Sequence, residues 1–224
     1  MAPDAQEVQG LDRPGLVRAG REIEAESFRI IDSEVGDHQF PRDQWQIVRR
    51  VIHTTGDFDF ARWMRFHPRA IEQGCAALRE GCPIFADTRM IQVGLSPWRL
   101  KWFGNEVSTP VSDPESQKWA EELDTTRSVA AFRHISKRLN GSLIAIGNAP
   151  TALAEVCRMI REEGLRPALV VGVPVGFVQA VESKDHLWNM DLQPAITVLG
   201  RKGGSSIAVA ILHALFELAK EKPQ

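Results

Sequence analysis

The chain has 224 residues, 43% of them hydrophobic and 25% charged, which excludes a disordered polymer and suits a single core-forming domain. Twenty-seven lysines and arginines face 29 aspartates and glutamates, a net charge of −2, so no positive excess points to a non-specific nucleic-acid binder. Three cysteines, Cys75, Cys82 and Cys157, cannot close a disulfide set and lack CxxC spacing, which fits a reducing cytoplasm and argues against a zinc or thioredoxin-type motif.

Residues 1–20 carry Pro3, Gly10, Pro14, Gly15 and Gly20 with little apolar periodicity, and read as a mobile N-terminal arm before one domain over 21–224. The opening MAPDAQEVQG lacks the basic-then-apolar order of a signal peptide. A helix is expected from Pro41 to His53, with Trp45, Val48 and Ile52 on one face and Gly56 past its end. A second is expected from Pro68 to Leu78, stopping by Gly81.

From there short apolar runs alternate with helical stretches. Strands are expected at Pro83–Ala86, Leu100–Phe103, Leu143–Ile146, Ala168–Val171 and Ala195–Leu199. Helices are expected at Pro114–Leu139, Thr151–Glu163, Val178–Trp188 and Ser205–Lys220. The most apolar stretch, Ala168 to Val178, holds Gly172, Pro174 and Gly176 and falls short of the roughly 20 residues that a membrane span needs. Strand–helix alternation implies right-handed crossovers and a parallel sheet covered on both faces. The expected fold is a flavodoxin-like three-layer αβα domain with a five-stranded parallel sheet in the order 2-1-3-4-5.

Ligands of such sheets bind beyond the carboxyl ends of the strands. There the sequence places Asp87, Thr88 and Met90, then Asn148 and Thr151, then Val173, Pro174, Gly176 and Phe177, then Arg201, Lys202, Gly203 and Gly204. Two cations and two glycines at the mouth of the last helix favour an anion, because free backbone N–H groups and the helix dipole add to their charge. A glycine turn with solvated charges is the simpler reading of the same residues. The lysine precedes the glycines, unlike a nucleoside-triphosphate loop, and no GxGxxG occurs. His53 stands at a helix end, where a proton donor working near neutral pH is well placed, although a surface helix-capping histidine has the same signature. No histidine pair has metal-ligand spacing, so no metal site is expected. Six tryptophans favour core or subunit-interface packing.

These motifs resemble those of the precorrin-8X methylmutases, also called cobalt-precorrin-8 methylmutases, of cobalamin biosynthesis. The carriers are ESFRII (Glu26–Ile31), RRVIHTTGD (Arg49–Asp57), FADTRMIQVGL (Phe85–Leu95), Thr126-Arg127, AIGNAPTAL (Ala145–Leu153), GVPVGFVQAVESK (Gly172–Lys184) and GRKGGSS (Gly200–Ser206). The resemblance implies an isomerase that needs no cofactor and moves a methyl group from C-11 to C-12 of precorrin-8X or cobalt-precorrin-8. It also implies a homodimer. It makes His53 the catalytic acid. Ser27, Thr54, Asp87, Thr88, Met90, Arg127, Asn148, Thr151, Val173, Pro174, Gly176, Phe177, Glu182, Ser183, Lys184, Arg201, Gly203 and Gly204 become the substrate-binding residues. Two positions depart from the family pattern: Gln179, where a small residue is usual, and His213, where asparagine is common. An inactive tetrapyrrole-binding carrier on the same fold is the alternative that Gln179 motivates. A flavin module is disfavoured, because Asp87 would repel a phosphate at the first strand end.

Overall fold

The computed structural model describes residues 14–221, in two units, residues 1–39 and 40–224, each taken by itself. The first unit holds helix α1 (Pro14–Val35), so residues 14–20 of the expected arm are helical turns. Residues 1–13, the rest of that arm, lie outside the described residues.

The second unit begins with α2 (Arg42–Thr55), entered from Pro41 and closed by Gly56 at φ 64°. Trp45, Val48 and Ile52 are buried on its inner face with Ile47 and Val51. Then follow α3 (Phe60–Trp63), β1 (Met64–Phe66), α4 (Ala70–Arg79), β2 (Ile84–Ala86), α5 (Arg89–Gly94), α6 (Pro97–Phe103) and β3 (Val107–Ser108). The chain continues through α7 (Ser116–Glu122), α8 (Arg127–His134), β4 (Leu143–Ile146), α9 (Pro150–Glu162), β5 (Leu169–Gly172), α10 (Ala180–Met190), β6 (Ala195–Val198) and α11 (Ser205–Lys220).

The strands form one sheet in the order β1-β6-β5-β4-β2-β3. All neighbours are parallel except β1, which runs antiparallel to β6 with Arg65 opposite Thr197. Every residue of β2, β4, β5 and β6 is buried, as expected of strands covered on both faces. Helix α11 packs against α2, α4 and α5, whereas α8, α9 and α10 pack successively on one another. Phe85, Ile144, Ile146 and Val170 meet the second group through Phe132, Leu153, Val156 and Leu187.

Three expectations are corrected. Leu100–Phe103, read as the second strand, lies in α6, because Pro97 sits at the first helical position and Gly104 closes the turn at φ 74°. The edge strand is instead the two-residue β3, whose Val107 and Ser108 carry too little pattern to detect. The sheet is six-stranded and mixed, not five-stranded and parallel, because β1, also too short to show alternation, covers the β6 edge. The long helix expected over Pro114–Leu139 is broken into α7 and α8. Asp124 turns left-handed at φ 47°, and the Thr126 hydroxyl accepts the Val129 N–H to start α8 afresh. Among the described residues no helix is long and apolar enough to cross a membrane.

Candidate active site

Because β2 through β6 are parallel, their carboxyl ends come together at one edge. Asp87, just past β2, is 4% exposed and holds the start of the next unit of the sheet. One carboxylate oxygen accepts the Gly147 N–H at 3.0 Å, and the other accepts the N–H groups of Asn148 at 2.8 Å and Ala149 at 2.7 Å. Burial pushes its pKa above the usual carboxylate range, and the three N–H donors oppose that rise. The carboxylate thus ties β2 to the β4–α9 turn instead of presenting oxygens to a ligand.

Thr88 caps α5 by accepting the Ile91 N–H, and its hydroxyl lies 3.0 Å from that of Ser205, the first residue of α11. The Thr109 hydroxyl beyond β3 shares its one proton between Gln92 Oε1 at 3.1 Å and the Thr88 carbonyl at 3.4 Å. A run of hydroxyls therefore crosses the edge from α11 to β3.

Two glycines allow the β4, β5 and β6 ends to approach. A Cβ on Gly147 would lie 2.7 Å from the Ser205 Cα, and one on Gly203, at φ 157°, would lie 2.3 Å from the Val173 carbonyl oxygen. The Gly204 N–H donates to that same Val173 oxygen at 2.8 Å, so it is used by the fold and not offered to an anion. No described residue accepts the Gly203 N–H.

The two lysines of this region are structural ties. Lys184 has no exposed surface, and its ammonium donates to the Lys202 carbonyl at 2.8 Å. Burial pushes its pKa down to about 8. Lys202, expected beside the anion, instead donates to Asp57 at 2.6 Å and Asp59 at 2.8 Å. These contacts hold Asp57 below and Lys202 above their ordinary values. Sequence reading missed this clamp because Asp57 and Lys202 are 145 residues apart. Its consequence is positional: the α2 end bearing His53 and Thr54 is pinned to the β6–α11 loop. Both residues are exposed there.

Arg201 is left as the cation of that loop. Its guanidinium carbon sits 5.3 Å from the centre of the Phe177 ring, which is 81% exposed. The Gly176 N–H donates to the Arg201 carbonyl at 3.2 Å. Val173 and Pro174 are buried, so the exposed apolar surface here is Val175, Phe177 and Val178. Arg127 is exposed, but two of its nitrogens donate to Val111 O and Ser116 Oγ. The Thr126 and Thr151 hydroxyls lie 3.3 Å apart, which joins α8 to α9 beside exposed Asn148. Ser183 is buried and donates to the Ala180 carbonyl, while Glu182 is exposed. Ser27 lies on α1, where its hydroxyl donates to the Ile23 carbonyl.

A cavity of about 270 Å³ adjoins this edge, lined by Arg50, Thr54, Met90, Ser205, Ser206 and His213 among others. The Ser96 backbone N–H, which can only donate, lies 3.1 Å from His213 Nε2. The neutral ring therefore carries its proton on Nδ1. Burial pushes His213 down to about 4, and the Arg99 and Arg50 cations add to the effect. A folded value below the unfolded one of about 6.5 means the stabilisation is complete above pH 6.5 and is lost as the pH falls toward 4. The parent is expected to lose about 2–3 kcal/mol more than His213→Asn between pH 7 and 4.5. Urea unfolding of both proteins at the two values checks this, and equal losses would show that His213 is not buried neutral.

Gln179 takes the left-handed φ of 60° just before α10. A side chain there costs of order 1 kcal/mol, which gives a physical reason for a glycine at this position.

A family model described as precorrin-8X methylmutase matches residues 22–218. A cobalt-precorrin-8 methylmutase of Leptospira interrogans is 47% identical over 214 residues, covering 92% of this chain and 97% of the relative. A precorrin-8X methylmutase of Sinorhizobium is 40% identical over 200 residues, covering 89% of this chain and 95% of the relative. The crystal structure of a precorrin-8X methylmutase from Thermus thermophilus superposes with a TM-score of 0.82 at 46% identity, covering 89% of this chain and 96% of that one. With matches that extend across nearly all the described residues, the chain belongs to the precorrin-8X methylmutase family.

Proposed function

We propose that this methylmutase moves a methyl group from C-11 to C-12 of precorrin-8X, giving hydrogenobyrinate, or of cobalt-precorrin-8, giving cobyrinate. The observation that carries the reading is the pinning of the His53 end of α2 to the β6–α11 loop by Lys202, Asp57 and Asp59, within a chain matched from residue 22 to 218. A methyl shift around a conjugated ring is a sigmatropic rearrangement. It needs a proton placed on the macrocycle more than it needs a nucleophile, and His53 supplies that proton. Peripheral carboxylates of the substrate meet Arg201, the Gly203 N–H and the free nitrogen of Arg127. Phe177 lies against the ring face. Asn148, Thr151, Thr54, Met90 and Glu182 complete the rim, and Ser27 is assigned to substrate by its motif. Asp87, Thr88, Ser183, Lys184, Val173, Pro174, Gly176 and Gly204 act by shaping the edge.

The frame is flavodoxin-like: with β1 set aside, the five parallel strands taken in chain order lie second, first, third, fourth and fifth. The protein works in the cytoplasm as a homodimer, to which the exposed Trp63 and Trp98 lend apolar surface.

Incubation with metal-free and cobalt-loaded substrate, followed by absorption spectroscopy, tests the reading on a sample whose mass is set by light scattering. Conversion of at least one pigment by a dimer is expected. Pigment that binds and stays unchanged would make the protein a carrier, and a monomer that turns over would remove the dimer.

A further inference from the structure

A cavity of about 450 Å³ lies at the β3 edge of the sheet, lined by Arg89, Arg138, Ser108, Thr109, Ser112 and Asp113 among others. Neither guanidinium makes a hydrogen bond or ion pair with any described residue. Three other arginines are closely paired: Arg99 with Glu217, and Arg133 and Arg158 with Glu155. The Arg138 guanidinium carbon lies over the buried Phe85 ring, 5.3 Å from its centre. That contact uses none of the guanidinium N–H groups, which stay available to a planar acceptor. Asp113, the acid of the lining, accepts the Glu115 N–H at 2.9 Å within its own turn. One negative charge against two positive ones leaves the cavity cationic. The wall is rigid, because the Thr109 hydroxyl donates to Gln92 Oε1 while Gln92 Nε2 donates to the Val107 carbonyl. The hydroxyls of Ser108 and Ser112 have no partner among the described residues.

The cavity belongs to the same edge as the site above, since Thr109 is bonded to Thr88 and Thr88 to Ser205. Four strand spacings separate β3 from β6, about 19 Å. Arg201 lies at one end of that span, and Arg89 and Arg138 lie at the other. A small anion engages one end alone, whereas a flat macrocycle with acids around its periphery engages both.

We infer that the Arg89–Arg138 cavity is a second carboxylate subsite, which takes an acid side chain on the rim of the macrocycle opposite the one held by Arg201. The inference rests on the substrate class proposed above. It assigns the cavity to pigment-borne carboxylate and not to a free anion such as inorganic phosphate.

The test measures binding of hydrogenobyrinate and of its fully esterified form by fluorescence quenching, with Arg89→Gln, Arg138→Gln and the double variant beside the parent. Each single change is expected to weaken binding of the acid pigment about tenfold and the double about a hundredfold, as charge-assisted bonds are lost. Arg138→Lys should recover part of the loss, the ester should bind all four proteins alike, and thermal midpoints should stay level. Equal affinity of parent and double variant for the acid pigment overturns the subsite and leaves the substrate class standing. A parent that binds neither pigment overturns the substrate class and the subsite together. Inorganic phosphate that binds in an Arg138-dependent way, with pigment affinity unmoved, assigns the cavity to a free anion and overturns the inference.

Discussion

His53→Asn is expected to lower turnover about 10²–10⁴-fold while pigment binding and the fold persist, because the change removes a general acid. His53 lies in the last turn of α2, on an exposed end fixed by Gly56 and by the Lys202 clamp. The buried face of α2 is built from Trp45, Ile47, Val48, Val51 and Ile52, none of which the substitution touches. Surface changes of this kind usually move stability within about 0.5 kcal/mol. Loss of turnover can therefore be read as loss of chemistry, provided the dissociation constant for product pigment and the thermal midpoint are measured on the same preparation. Turnover within a few-fold of the parent would remove His53 as the acid. Weakened pigment binding with unchanged turnover per bound molecule would make it a binding residue instead.

The largest stability effect is expected at Asp87. In Asp87→Ala the N–H groups of Gly147, Asn148 and Ala149 lose their acceptor in a place that water reaches poorly. Each orphaned donor costs about 1–3 kcal/mol, so a total of about 3–9 kcal/mol is expected from the three, a large share of the 5–15 kcal/mol that typically holds a domain folded. Asp87→Asn should fall between variant and parent. Its amide oxygen can serve the pair at Asn148 and Ala149, but its NH₂ group then faces the Gly147 N–H, donor against donor. The negative charge also complements the first turn of α9, which opens at Pro150. Urea unfolding of the three proteins decides the matter. A loss below about 1 kcal/mol for Asp87→Ala would mean that the carboxylate is not a staple and is free to meet substrate.

What the sequence by itself determined was whatever rests on local rules and repeats along the chain. Pro41 and Gly56 bracket α2, and Gly147 and Gly172 mark the carboxyl ends of β4 and β5. Apolar runs with no polar alternation revealed strands covered on both faces, and the motifs from Glu26 to Ser206 revealed the family. Local rules failed where an element was too short to carry a period. Strands β1 and β3 hold three and two residues, and the ladder partner, not the residue type, makes them strands. They also failed at Leu100–Phe103, where an apolar run of four fits either state until Pro97 and Gly104 are weighed together. Charge was the least legible quantity of all. Sequence places Asp87, Lys184, Arg201 and Lys202 at one sheet edge and cannot tell which of them are spent. The tertiary structure decides it: buried backbone donors claim Asp87, a carbonyl claims Lys184 and two acids across the edge claim Lys202. Arg201, Arg89 and Arg138 are left with rings or open cavity beside them. A buried polar group must find a partner wherever the fold brings one, often more than a hundred residues away.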